Sequence, residues 1–176
     1  MKFKELELPG AYVIDLQKIE DQRGFFARAF CRNEFEQNGL NATLVQCNIS
    51  YNPVEATLRG MHYQAPPYGE VKSVRCTAGA IYDVIVDVRR HSHTYCKWIG
   101  IELTASNRRM LYVPEGFAHG YLTLTSETEV FYQVSECYRP EAERGARWDD
   151  PAFRIEWPMK PKMLSLKDAA HPIFVK

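Results

Sequence analysis

The sequence predicts an all-β fold, a sandwich or small closed barrel with a few short helices. Short runs rich in β-branched and aromatic residues recur between turn formers. The run Ile81 to Val88 is apolar on both of its alternating faces, which suits a strand buried between two sheets. A convincing helical pattern occurs in one stretch and is only about two turns long. With 176 residues, 45% of them hydrophobic and 25% charged, the chain is expected to form one domain over residues 1–176 with a sizeable core.

The expected strands follow in chain order. Ala11 to Leu16 comes first, and Thr43 to Ile49 second; Ser73 to Cys76 and Ala80 to Val88 are next. Trp98 to Leu103, Met110 to Val113, Tyr121 to Leu124 and Glu129 to Val134 complete the set. The helix is expected over Arg32 to Asn38, with Asn33 as cap before Glu34, Phe35 and Glu36, and Asn38-Gly39 as its stop. Beyond Trp157 the proline-rich tail reads as an irregular ordered strap carrying a short turn at Ser165 to Asp168.

Charge and cysteine content exclude several classes of function. Lys plus Arg and Asp plus Glu both number 22, without a long run of either sign, so no nucleic-acid or membrane partner is expected. An anionic ligand would need a local cluster of cations. The five cysteines, Cys31, Cys47, Cys76, Cys96 and Cys137, lack C-x-x-C spacing and read as reduced thiols. Met1 is followed by Lys2-Phe3-Lys4-Glu5 and no segment is apolar enough for a bilayer, so a cytoplasmic protein is expected.

Two segments carry the chemistry. Leu58-Arg59-Gly60-Met61-His62-Tyr63-Gln64 and Pro114-Glu115-Gly116-Phe117-Ala118-His119-Gly120 each set a histidine beside a bend-permitting glycine. Two imidazoles far apart in sequence could therefore converge inside a barrel. Strict strand alternation would aim Arg59 and His62 to opposite faces, so both can face one cavity only if Gly60 permits a bulge or twist. Asp83, inside an apolar strand, requires a partner: either His119, whose tautomer it would fix, or a backbone group or buried water.

The spacing of Gly60, His62 and Gln64 with that of Pro114, Gly116 and His119 resembles the two signature motifs of the cupin jelly roll. Metal-binding cupins carry H-x-H in the first motif, where this chain has Gln64. The residual donor set of His62, Gln64, Glu70 and His119 is short of one imidazole, so no metal is expected.

A narrower resemblance spans nearly the whole chain. It rests on Asp21-Gln22-Arg23-Gly24-Phe25-Phe26, Gln46-x-Asn48-x-Ser50, Leu58 to Gln64, Pro66-Pro67, Lys72 and Pro114 to Gly120. Trp148-x-Asp150-Pro151, Ile155-x-Trp157-Pro158 and Ser165-x-Lys167-Asp168 extend it to the C-terminal region. In this order the motifs look like those of the dTDP-4-dehydrorhamnose 3,5-epimerase family, nucleotide-sugar epimerases of the cupin superfamily.

The resemblance implies proton transfer at the carbons flanking the 4-ketone of a 6-deoxyhexose on a nucleoside diphosphate. Inversion occurs at C3, C5 or both, with dTDP-4-dehydro-6-deoxyglucose to dTDP-4-dehydrorhamnose as the leading instance and no cofactor. By this likeness His62 is the base, Asp168 its orienting carboxylate and Tyr132 the acid on the opposite face. Lys72 would steady the enolate oxygen, a role typically worth about 3 kcal/mol of barrier. Arg23 and Arg59 match diphosphate-binding positions, and His119 would support phosphate or sugar. Gln46 and Asn48 would reach base or sugar, and Tyr138 would stack on the nucleoside; Glu143 and Lys167 are either further substrate contacts or surface charges.

Two positions depart from the family pattern. Arg28 stands where a glutamate is usual and Cys47 where an aspartate is usual, so Arg28 would take a phosphate or read another base, for example cytosine. The family's homodimer is implied too, with N-terminal strands exchanged and Arg23 and Arg28 serving the neighbour's pocket. The rival functions are a single-centre epimerase on a dTDP or CDP sugar, a metal-dependent cupin enzyme, and a non-catalytic sugar-nucleotide binding module.

Overall fold

A computed structural model describes residues 1–175. The elements in chain order are β1 (Lys2–Glu5), β2 (Tyr12–Asp15), β3 (Lys18–Asp21), β4 (Gly24–Ala27), α1 (Arg32–Gln37), β5 (Gln46–Asn52), β6 (Thr57–Gln64) and β7 (Lys72–Ala78). They continue as β8 (Ala80–Asp87), β9 (Trp98–Thr104), β10 (Met110–Val113), β11 (Phe117–Thr123), β12 (Thr128–Val134), β13 (Glu143–Gly145), β14 (Met163–Leu164) and α2 (Leu166–Ala169). One six-stranded sheet runs β1-β2-β10-β7-β12-β5, and the facing sheet runs β13-β6-β11-β8-β9 with β14 added in parallel on β6. The strands β3 and β4 form a separate hairpin.

The two sheets close on each other through apolar side chains. Val13, Val74, Leu111, Val113 and Val130 come from one sheet, and Ile81, Ile85, Leu103 and Phe117 from the other. Burial of such residues, each worth about 1.5–3 kcal/mol, is the main force holding the layers together. The outer faces are also covered. Ile14, Met110 and Tyr112 pack on Phe35 of α1, while Val84, Val86 and Ala118 pack under Phe153, Trp157 and Phe174 of the C-terminal strap.

This second cover corrects one expectation from the sequence. Strand β8 is apolar on both faces because the opposite sheet covers one side and the strap covers the other, rather than because two sheets flank it. Boundaries also shift. The expected strand at 43–49 is found at Gln46–Asn52, because its ladder with β12 runs from Gln46↔Val134 to Asn52↔Thr128, leaving Leu44 and Val45 outside it. The expected strand at 121–124 begins already at Phe117.

Helix α1 is capped at Cys31, not Asn33, with no side-chain cap bond; Phe35 N–H donates to the Cys31 carbonyl at 3.1 Å. The register that buries Phe35 against Phe3, Phe30 and Tyr112 decides the helix start over capping preference. The strap is ordered as expected, with Ser165 Oγ accepting from Asp168 N–H at 3.0 Å to cap α2. No helix among the described residues is long and apolar enough to cross a membrane. Their five cysteines form no disulfide.

Candidate active site

A cavity of about 510 Å³ opens between the sheets where the strap folds back. Its walls bring together Ser50 of β5, Arg59 and His62 of β6, Lys72 of β7, His119 and Tyr121 of β11, Tyr132 of β12 and Asp168 of α2. A second cavity of about 280 Å³ shares His62, Lys72 and Tyr132 and adds Gln46, Asn48, Glu70, Tyr138 and Glu143.

The conflict between Arg59 and His62 is resolved as expected, at Gly60. Strand β6 carries one residue more than β11 between the pairs His119↔His62 and Tyr121↔Arg59. The extra residue returns both side chains to one face. Gly60 has φ +135°, and a Cβ there would lie 2.5 Å from the Gly120 Cα, so no side chain fits.

His62 Nε2 lies 2.7 Å from Asp168 Oδ1, and the Gly60 N–H approaches Asp168 Oδ2 at 3.4 Å. Burial pushes the Asp168 carboxyl upward, but the His62 bond and charge and the Gly60 and Ser165 bonds outweigh it and hold the pKa below the ordinary value. The carboxylate is therefore ionised and pins one ring nitrogen of His62 while the other stays available. His171 also reaches this pair: its ring meets His62 edge to face at a centroid distance of 5.5 Å. Burial and then the neighbouring His62 charge lower the His171 pKa.

Across the cavity, burial first and the Glu70 charge second raise the Tyr132 pKa, so its phenol keeps its proton at neutral pH. Lys72 Nζ pairs with Glu70 at 2.9 Å, both side chains largely buried. His119 Nε2 lies 2.6 Å from Asp83 Oδ1, so His119 is a partner of this fully buried aspartate.

The remaining expected residues divide into three groups. Gln46, Asn48, Tyr138 and Glu143 line the second cavity; the Tyr138 hydroxyl donates to Glu143 Oε2 at 2.5 Å, and Lys167 Nζ donates to the same carboxylate at 2.6 and 2.7 Å. Glu143 and Lys167 are thus partners that tie the 138–143 segment to α2, not isolated surface charges.

Arg23 and Arg28 line neither cavity. Arg23 pairs with Asp21 at the β3–β4 turn, 89% exposed, and Arg28 pairs with Glu34 at 2.9 Å. Cys47 also stays out: it faces Gln133 across the β5–β12 ladder, on the opposite side of β5 from Gln46 and Asn48.

Of the cupin-type donors, His62, Gln64 and Glu70 line the second cavity and His119 the first. Gln64 gives its amide to the Tyr68 and Cys137 carbonyls and accepts from Arg139 N–H at 2.6 Å, so it organises loops rather than facing an ion.

Sequence reasoning missed the residues that hold Arg59. Its Nε donates to Asn52 Oδ1 at 2.8 Å, Asn52 Nδ2 reaches the Tyr121 hydroxyl at 3.3 Å, and that hydroxyl meets Ser50 Oγ at 2.8 Å. Period-two spacing along Gln46, Asn48, Ser50 and Asn52 was the available signal.

A sequence profile described as dTDP-4-dehydrorhamnose 3,5-epimerase matches residues 5–176. A dTDP-4-dehydrorhamnose 3,5-epimerase of Sinorhizobium fredii is 43% identical over 98% of this chain and 89% of its own length. One of Shigella flexneri is 40% identical over 99% of this chain and 97% of its own. The crystal structure of such an enzyme from Bacillus anthracis, with TDP and PPi bound, superposes with a TM-score of 0.95 at 39% identity, covering 98% of this chain and 99% of that one.

Proposed function

The chain belongs to the dTDP-4-dehydrorhamnose 3,5-epimerase family, and on that premise we propose that it inverts both C3 and C5 of a dTDP-linked 4-keto-6-deoxyhexose. The conversion is dTDP-4-dehydro-6-deoxyglucose to dTDP-4-dehydrorhamnose. Each inversion removes a proton from carbon and returns one to the other face, so electrons balance without a redox partner.

The ketone makes the neighbouring C–H bonds acidic because the carbanion delocalises onto O4. His62 takes the proton, its ring oriented by Asp168; the electron pair moves to O4, where Lys72 offsets the developing charge, worth about 3 kcal/mol. Tyr132, protonated at neutral pH, delivers a proton from the opposite side. Arg59 and His119 receive the diphosphate end, while Gln46, Asn48 and Tyr138 hold the nucleoside. One observation carries the reading: an imidazole, an ammonium and a phenol from three separate strands border the same space, with the imidazole bonded to a carboxylate.

The protein acts as a cytoplasmic homodimer of single-domain subunits. The β3–β4 hairpin exposes Ile19 and Phe26, each 70% accessible, beside Arg23 and Arg28. A partner covering those apolar residues would bring the two guanidinium groups to its own nucleotide site.

The test is incubation in deuterated water with dTDP- and CDP-4-keto-6-deoxyglucose, followed by NMR. Deuterium should enter at C3 and C5 of the dTDP sugar. Exchange at one carbon alone would make the protein a single-centre epimerase, and no exchange with either sugar would leave it a binding module.

A further inference from the structure

We propose that His62, Asp168 and His171 form a site for a divalent transition ion of the zinc class, and that filling it switches off His62 as a base. The ligand atoms of the three residues lie within 4.8 Å of one another. Two imidazoles and a carboxylate match the composition of three-ligand zinc centres, which leave a fourth position open to water.

The geometry converges on one oxygen. Asp168 Oδ1 is 2.7 Å from His62 Nε2 and 3.7 Å from His171 Nε2. The first distance is a hydrogen bond; the second is too long for one. His171 Nε2 is buried and has no hydrogen-bond partner among the described residues, a condition that costs free energy unless something else fills it. A cation between the two rings would satisfy that nitrogen.

The fold holds His171 there by a specific fit. Gly145 of β13 stands opposite His62 in the ladder with β6, and a Cβ on Gly145 would lie 2.1 Å from the His171 ring. The imidazole therefore occupies the space a side chain would take, directly beside the pair that it completes. His62 lines the larger cavity and its side chain is 32% exposed, so an ion can enter from the substrate side.

Coordination at His62 Nε2 confines the remaining ring proton to Nδ1. No lone pair is then left to accept a proton from the sugar. This half of the proposal rests on the role of His62 given above.

The test titrates zinc chloride into metal-stripped protein by calorimetry, with cobalt absorption as a report of coordination and proton exchange measured in parallel. His171→Phe keeps a ring over Gly145 but removes the ligand, and His171→Ala serves as a second variant. The exposed His91 and His93 form the competing surface pair, so a His91→Ala/His93→Ala double variant is the control.

One equivalent of zinc should bind the wild type and the control, about 30-fold or more weakly in both His171 variants. Exchange by the wild type should fall with zinc occupancy and return on chelation. Equal affinity in the wild type and both His171 variants overturns the site, as does binding no tighter than millimolar. Zinc bound through His171 with exchange unchanged overturns the switch, and exchange that survives His62→Ala as well overturns the role of His62. Exchange abolished by His62→Ala, with zinc binding indifferent to His171, overturns the metal site alone.

Discussion

Arg59 is held by Asn52: the guanidinium Nε lies 2.8 Å from the side-chain oxygen of a residue with no solvent exposure. Asn52 in turn donates to the Thr128 carbonyl at 3.2 Å, so the cation is braced by the strand beside it. Asn52→Ala should therefore weaken binding at the phosphate end before it touches chemistry. Steady-state kinetics should give a KM raised about tenfold with kcat changed far less. A matching loss in kcat would show that Asn52 supports the reacting carbons instead.

Tyr132→Phe removes the proposed second proton donor and leaves His62 and Asp168 in place. Deuterium should still enter the substrate after inversion has stopped, with inversion slowed about 100-fold or more. NMR of the recovered sugar separates the two processes. Because burial raises the Tyr132 pKa, the alkaline loss of wild-type activity from this group should begin only above the usual tyrosine value of about 10. Exchange and inversion lost in parallel would make Tyr132 a positioning group.

Gly60→Ala tests the bulge. An added methyl at φ +135° meets the Gly120 Cα at 2.5 Å, which combines backbone strain with overpacking. A loss of about 3 kcal/mol in stability is expected, read from the denaturant midpoint. If the variant were as stable as the wild type, the close approach of β6 and β11 would not be what shapes the site.

Acid stability should depend on Asp87. This buried carboxylate accepts from Arg89, Ser92 and Thr94; burial opposes ionisation, but those bonds prevail and its pKa falls to about 2. With the folded value below the unfolded one, the contribution of about 2 kcal/mol is complete above the ordinary aspartate range. It is lost as pH falls toward 2. Asp87→Asn should lower stability at pH 7, and the gap to wild type should narrow in acid denaturation near pH 2. A gap independent of pH would assign the effect to packing.

The all-β class was legible because strand periodicity is local: β7 to β10 and β12 follow runs of apolar residues bounded by turn formers. The hairpin β3–β4 was not, since Ile19 and Phe26 are exposed and give no pattern of burial to read. Likewise Asn33 looked like a cap in isolation, yet the packing of Phe35 moved the helix start to Cys31. Within the site, the resemblance supplied His62, Lys72, Tyr132 and Asp168, and all four border one cavity. It did not supply Asn52 or His171, whose roles rest on contacts made only in the folded chain, Asn52 with Arg59 and Thr128, and His171 with His62 and Gly145.

By itself, the sequence determined the alternation of strands, the demand for a break at Gly60 and the residue types of a proton-transfer site. The first two follow from local geometry, and the third from the resemblance to the family. Only the tertiary structure decided that Asp83 meets His119, that Glu143 meets Lys167, and that His171 fills the space above Gly145 beside His62. Such pairs depend on ladder register and on the path of the strap, which are set by long-range packing rather than by neighbours in the chain.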